Sequence, residues 1–524
     1  MREYLIYLVF AALAAYAWRD WFVSACALVV LAALMKHGDM PRTIGEIPGA
    51  NPWNLLLVVV VVAWIVTRQR NPASRPCPRY VMVVFGLYVA VMVTAFLRGV
   101  ADLGSLAYST EQHRAVTPAG FAIEYLLNPV KYVVLAVLVF DGARESRRNL
   151  VLACGAIAAQ VLLFTLMTWR YIPLTALLEP GTASQGESVY RRRFQKEIGL
   201  HANDIAMVLV AGFWAIVASA PLLKARRWWW KATAVTGGTL VALAVVMTNS
   251  RGGYLAFAGV GVLFGLLRHR WLLVALPVAA GLALVAFPSF ADRVGLGFGT
   301  VDVSGEITDD WDVISGGRMT DLWPFVIEGI RGAPVHGHGR LAILRTSVRR
   351  QIEQIGGGCP THPHNAYLEM LLDSGAIGLV LTLLLFLGFP IWAYRRRCSG
   401  DPLLTTALHA GLAGAAAILI MSISGQTFWP REGVDTILYL YALMMAGCTF
   451  GMAEREGPRR PEPVSGHSHT GHVVLLRHRS PRMGDGGAPG RRHPAQSLPA
   501  GTAGYLGQKP VAGDDAAPCH RRGH

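Results

Sequence analysis

The segment Cys359–Val380, CPTHPHNAYLEMLLDSGAIGLV, sets two histidines and an asparagine directly before an apolar helix. Imidazole is the side chain best suited to accept a proton near neutral pH. Pro363 disfavours helix at His362, so the helix is predicted to start at His364 or Asn365. Asparagine is a good N-cap, its side chain binding an amide two or three residues on. His364 would then stand at the positive end of a helix, which holds the ring neutral. A neutral His364 there suits a general base. The residue patterns alone leave open a plain capped helix at the membrane surface.

Other polar residues sit at helix mouths. TNSRGGYLAF places Arg251 before a helix starting near Gly252. A helix N-terminus offers unpaired amides and positive potential, and the arginine fork fits phosphate. Gly252 and Gly253 would let a ligand approach the backbone. Arg318, in SGGR, is a second possible anion contact or a solvated cap. After it, Met319, Leu322, Trp323, Val326 and Ile330 recur at helical spacing, predicting one amphipathic helix on the membrane or on the bundle. His336 and His338 lie in a glycine-rich turn without an evident third metal ligand, so they read as a turn that shapes the site. Arg191, Arg192, Arg193 and Lys196 precede His201, Asn203 and Asp204 and suggest a cleft that attracts polyanions. Asn203 reads more simply as an N-cap. Tyr108, Glu111, His113 and Arg114 lie in another outer loop. Arg431 either pairs with Glu432 or faces the same cavity.

These residues must be positioned by a membrane bundle. The 524 residues are 53% hydrophobic and only 15% charged, against about 25% charged for soluble domains. The net charge of +15 comes in short clusters between apolar runs, as in membrane loops, which argues against nucleic acid. Seven scattered cysteines without a CxxC pair imply no disulfide framework. The N-terminus reads as a retained helix without a cleavage site. Candidate spans cover residues 4–18, 21–35, 53–67, 80–97, 122–140, 150–169, 203–220, 231–248, 252–267, 271–288, 373–393, 403–422 and 434–452. The first two could be one broken element, giving 12 or 13 spans.

Basic clusters at 67–79, 144–148, 224–231, 268–270 and 395–397 fall on one side under simple alternation, predicted to be the cytoplasm. Segments 170–202 and 289–372 are then long outer loops, and loops this long are usually functional. Residues 1–453 form the membrane domain. Residues 454–524, rich in Pro, Gly, His and Arg, are predicted to be a disordered cytoplasmic tail. A transporter fits the hydrophobicity too, but no repeat relates the halves and the ionisable residues gather outside.

His364-Asn365, nine residues, then Gly375-Ala-Ile-Gly378 resembles the His-Asn, nine positions, Gly-x-x-Gly motif of the O-antigen ligase and O-antigen polymerase superfamily. SRGG at 250–253, GLHAND at 199–204 and the long loop before the motif resemble it as well. In layout the resemblance covers roughly residues 50–452. It implies an all-α, polytopic, GT-C-like bundle of about 12–13 spans, with a large periplasmic loop containing short amphipathic helices. It also implies an inner-membrane glycosyltransferase. Such enzymes take a glycan from undecaprenyl diphosphate on the periplasmic face and need no metal, nucleotide sugar or other cofactor. The acceptor is a lipid core, a growing polysaccharide or a protein hydroxyl. The resemblance gives His364 the acceptor hydroxyl and Arg251 the diphosphate leaving group. Arg318, Asn365, Arg191, Lys196 and Asn203 become candidate substrate contacts, and Gly252, Gly253, Gly375 and Gly378 structural positions. The short first spans and the tail depart from the family pattern.

Overall fold

The computed structural model describes residues 2–44, 49–70, 77–106, 117–178, 189–224, 226–296, 298, 300–301, 307–308, 315, 317–354, 361–396 and 400–456. Contacts divide the chain into Met1–Arg459 and Arg460–His524, and the second unit lies outside the described residues. The outer-loop residues Tyr108, Glu111, His113 and Arg114 also lie outside them, as does the predicted tail beyond Glu456.

Every apolar run expected to span becomes helical. The chain begins with α1 (Arg2–Ala17), α2 (Trp21–Ala32), α3 (Pro52–Arg70) and α4 (Arg79–Ala101). Next come α5 (Pro118–Ala143), which includes a π-turn at Ile123–Leu127, and α6 (Arg147–Tyr171). Then follow α7 (Val189–Ile198), α8 (Ala202–Ala218), α9 (Trp228–Met247) and α10 (Arg251–Leu267). After α11 (Leu272–Ala286) the path bends by 110° into α12 (Pro288–Gly295). The long loop contributes α13 (Trp323–Gly332). The last spans are α14 (Ala366–Arg395), α15 (Pro402–Met421) and α16 (Asp435–Glu456).

Eight described helices are long and apolar enough to cross a membrane, and the bent α11–α12 pair could supply a ninth. Helices α1, α2, α8 and α10 are apolar but shorter. The protein is thus an all-α polytopic membrane protein. Its described β structure is the two-residue pairing of Thr300–Val301 with Ile307–Thr308. Helix α16 runs to Glu456, three residues into the stretch predicted to be tail.

Contacts gather all five basic clusters at one end of the bundle. Arg68 and Arg144 both donate to Asp141, at 2.8 and 2.7 Å. Arg147 pairs with Asp401, just past the basic run that ends α14. Thr406 donates to the Ala218 carbonyl at 3.3 Å, joining the starts of α15 and the end of α8. Lys224 and Arg268 both depress the proton affinity of His269 after burial does. One end therefore carries the five basic clusters, in keeping with the alternation of spans.

The long loop does not form the single amphipathic helix expected from its periodicity. The helix is broken at Leu322 into a turn at Arg318–Asp321 and α13, because Pro324 can occupy only the first turn of a new helix. Leu322 and Val326 are buried with Leu341, Ile343, Val348, Ile352 and Leu372 in a small core separate from that of the main bundle. The apolar face thus lies on the bundle rather than on lipid.

Candidate active site

Helix α14 starts where the prolines and Asn365 dictate. Asn365 Oδ1 accepts from Tyr367 N at 3.0 Å and Leu368 N at 3.1 Å. This cap uses Oδ1 and fixes the side chain at the helix start. The preceding residue, His364, has a left-handed backbone at φ 52°, a conformation costly for a residue with Cβ. Its amide donates to His362 Nδ1 at 3.3 Å, and the two rings meet edge to face at 4.1 Å. Trp323, opening α13, donates its indole N–H to the Pro363 carbonyl at 2.9 Å. Asn249, Leu341 and His364 are the left-handed residues other than glycine among those described. They adjoin Arg251, Arg340 and Asn365, so strain is concentrated where the polar elements meet.

His362 and His364 are each pushed from the usual 6.5 down to about 3. Burial is the first cause for both. For His364 the next causes are His362, then the charges of Arg318, His201 and Arg431. For His362 they are Arg431, Arg340, His201 and Arg318. The ring is neutral as expected, with burial as the first cause and the surrounding cations after it.

One prediction follows from this. The unfolded chain takes up protons at these histidines near pH 6.5, whereas the folded chain does so only near 3. Between those values the unfolded state binds more protons, so stability falls as pH falls and is fully present above the upper value. Thermal unfolding in detergent should show a midpoint that declines below pH 6.5, and His362→Asn should flatten that decline. An identical decline in the variant would refute the assignment.

Arg251 begins α10, whose N-cap Ser250 accepts from Gly253 N at 3.1 Å. Its guanidinium donates to the carbonyls of Arg293 and Leu296 at 2.9 and 2.7 Å. The bend between α11 and α12 thus folds a carbonyl-bearing helix end over Arg251. Gly252 and Gly253 serve packing rather than ligand approach. A Cβ on Gly252 would lie 2.5 Å from Ser424 Oγ, and one on Gly253 would lie 2.8 Å from Ala206 Cβ.

Arg293 is a residue the sequence reading missed. Its Nε is buried without a hydrogen-bond partner. Burial lowers the proton affinity of Arg318, and the charge of Arg293 lowers it further. Arg251 and Arg293 likewise oppose each other. Neither Arg293 nor Arg318 has an acidic partner among the described residues. The signal was available: Arg293, like Arg251, stands on the side where topology does not favour arginine.

A second missed group holds the site together. Arg340 Nη1 donates to Glu369 Oε1 and Asp373 Oδ2, both at 2.7 Å, and all three side chains are buried. The guanidinium also lies 4.5 Å from the Trp429 ring centre. Glu369 Oε1 accepts from Gln426 at 2.6 Å, Gln426 accepts from Arg431 at 2.8 Å, and Arg431 donates to Asp204 at 2.6 Å. Arg431 therefore pairs with Asp204, not with Glu432, whose ion-pair partner is Lys36 at 3.6 Å. Two carboxylates four residues apart in an apolar helix are an intramembrane signal that could have been read.

The 334–340 turn docks into a kink of α14. Gly375 there has φ 66° and ψ −170°. Ala376 N and Ile377 N donate to the Pro334 and Val335 carbonyls at 2.8 and 3.2 Å, while His338 N donates to Leu372 O and Gly339 N to Asp373 O, both at 2.8 Å. A Cβ on Gly375 would lie 2.3 Å from the Val335 carbonyl. Gly375 thus opens α14 to another backbone, rather than easing helix-on-helix contact. Gly378 does pack: a Cβ there would lie 2.1 Å from Ser374 Cβ and 3.5 Å from Val91 Cγ1 of α4. His338 Nε2 meets the Gly329 carbonyl at 2.9 Å, in keeping with a shaping turn.

Asn203 is not the N-cap of α8. His201 caps it, accepting from Asn203 N at 3.2 Å. Asn203 Oδ1 instead accepts from Ser250 at 2.7 Å and ties α8 to the start of α10. Lys196 is exposed on α7 and is not drawn into the cluster by any contact among the described residues. The side chain of Arg191 lies outside the described residues. Among the described residues no group of three or more His, Cys, Asp or Glu could hold a metal ion.

Fold and site together define a polytopic membrane protein whose arginines and neutral histidines converge at the end opposite its basic loops. Residues 236–383 match the family model described as O-antigen ligase. That segment contains Arg251, Arg293, Arg318, Arg340, His362, His364 and Gly375, so the likeness to O-antigen ligases covers the candidate site. The match supports glycan transfer of the O-antigen ligase type in general. No curated protein matches the chain.

Proposed function

We propose that this protein moves a glycan from undecaprenyl diphosphate to an acceptor hydroxyl at the end of the bundle that carries His364. The observation that carries this reading is the neutral, left-handed His364 set among Arg318, His201 and Arg431. The setting is a bacterial inner membrane with the site facing the periplasm and the basic loops in the cytoplasm.

A diphosphate is already a good leaving group, so the protein has mainly to place it and stabilise its charge. Arg318 and Arg293 supply charge that no carboxylate among the described residues pairs, and Arg251 joins them when phosphate oxygens replace the carbonyls of Arg293 and Leu296. The acceptor O–H attacks the anomeric carbon opposite the diphosphate. His364 takes the hydroxyl proton, the new C–O bond forms, and the old C–O pair leaves with the diphosphate. The anomeric centre is inverted. The bound anion also raises the proton affinity of His364, so substrate arrival strengthens the base. Arginine charge does the work of a cation here, and chelators should leave the rate unchanged.

The surface glycan of a deletion strain tests the reading. Bare lipid core with accumulated lipid-linked polymer is the outcome expected of a ligase. Single repeat units would mean a polymerase, and an unmodified protein beside normal lipid-linked glycan a protein O-glycosylating ligase. Normal glycan with altered solute uptake would overturn the proposal in favour of a transporter.

A further inference from the structure

At the opposite end of the bundle, a second basic region has no part in the transfer chemistry. Between Asp204 and Asp292 the chain has no acidic residue. Within that stretch Lys224, Arg226, Arg227 and Lys231 surround Trp228, Trp229 and Trp230, and Arg268 and Arg270 precede Trp271. None of these six cations makes an ion pair among the described residues. The two segments flank the start of α15: Ala218, six residues before Lys224, accepts from Thr406 at 3.3 Å, and Phe264, four residues before Arg268, meets the His409 ring at 6.1 Å. Burial, then the charges of Arg268 and Lys224, push His269 down. Arg268 Nη1 is buried without an acceptor.

The aromatic rings point outward. Trp228 is 78% exposed and Trp271 63%, and Trp229 stacks on Trp230 at 4.2 Å. Indole prefers the level of lipid headgroups, with its apolar face toward the chains. Helices α9 and α11 beside them bare Val235, Val274 and Val278 to the surroundings. The patch thus sits at the lipid-facing rim of the bundle.

We propose that this patch is a binding site for an anionic phospholipid. Its phosphodiester groups would lie between the 224–231 and 268–270 cations, with the acyl chains along α9 and α11. Soluble polyanions would use the charge but leave the tryptophans bare. A lipid uses both. Cations beside a membrane surface each add appreciable binding to anionic lipid.

Native mass spectrometry of the full chain, extracted from vesicles of phosphatidylcholine with cardiolipin, tests this. Wild type should retain cardiolipin through delipidation. Lys224→Gln/Arg226→Gln/Arg227→Gln/Arg268→Gln should lower retention by roughly tenfold or more. The charge-preserving Arg226→Lys/Arg227→Lys should retain it, which separates lost charge from a misfolded bundle. Arg395→Gln/Arg396→Gln, at the same end, should retain it also. Equal loss in that control would mean non-specific surface attraction and would overturn the proposal. So would undiminished retention in the fourfold variant, or displacement of the lipid by millimolar inorganic phosphate.

Discussion

Replacing His364 with asparagine lowers the rate of glycan transfer by roughly 10²–10⁴-fold, the usual contribution of a positioned general base. Asparagine tolerates a left-handed backbone better than most residues, so it retains the turn at φ 52° while removing the imidazole. The loss should fall on kcat, with little change in KM for the lipid carrier. Among the described residues the ring makes no hydrogen bond, and its aromatic neighbour is His362, edge to face, so no described hydrogen bond is lost with its nitrogens. His362→Asn should cost less, because that ring supports the backbone of its neighbour through Nδ1. Purified protein in vesicles, supplied with a lipid diphosphate-linked glycan, provides the measurement. Transfer at the wild-type rate by His364→Asn would eliminate the base role. A loss of carrier affinity at unchanged kcat would make His364 a binding residue instead.

The bundle was legible because lipid demands long apolar runs, and each predicted span has its helix. The His-Asn start of α14 was equally legible, since Pro363 and Asn365 act locally. What failed depended on tertiary contact. The periodicity of 319–330 ignored the Trp323-Pro324 break. Gly375 was legible only as a structural position, whereas its φ of 66° opens the helix to the 334–337 backbone, whose approach no local pattern announces. Asn203 and His201 exchanged roles because Ser250, distant in sequence, claims the asparagine. Arg293 enters the cluster only through the 110° bend after α11. Arg340 carries no local pattern that marks it, because its role is set by two carboxylates four residues apart on α14.

That network yields the largest effect on stability. Arg340→Met should destabilise the folded protein by about 3–5 kcal/mol, because it leaves Glu369 and Asp373 buried and unpaired. Arg340→Lys should recover only part of this. One ammonium can approach both carboxylates, but it lacks the planar fork that also lies over Trp429 at 4.5 Å. Adding Glu369→Gln and Asp373→Asn to Arg340→Met should restore much of the loss, since no uncompensated charge then remains. The consequence for transfer follows from position. Glu369 lies one helical turn after Asn365, and its Oε1 also holds Gln426, which holds Arg431. Arg340 is therefore a positioning residue, fixing the first turn of α14 and the cation that faces His362. Among folded molecules, Arg340→Met should lower kcat while leaving the composition of the product unchanged. Thermal unfolding in detergent measures the first effect and single-turnover transfer the second. If Arg340→Met unfolds with the wild-type midpoint, the buried pairing does not hold this end of the bundle together, and the positioning role falls with it.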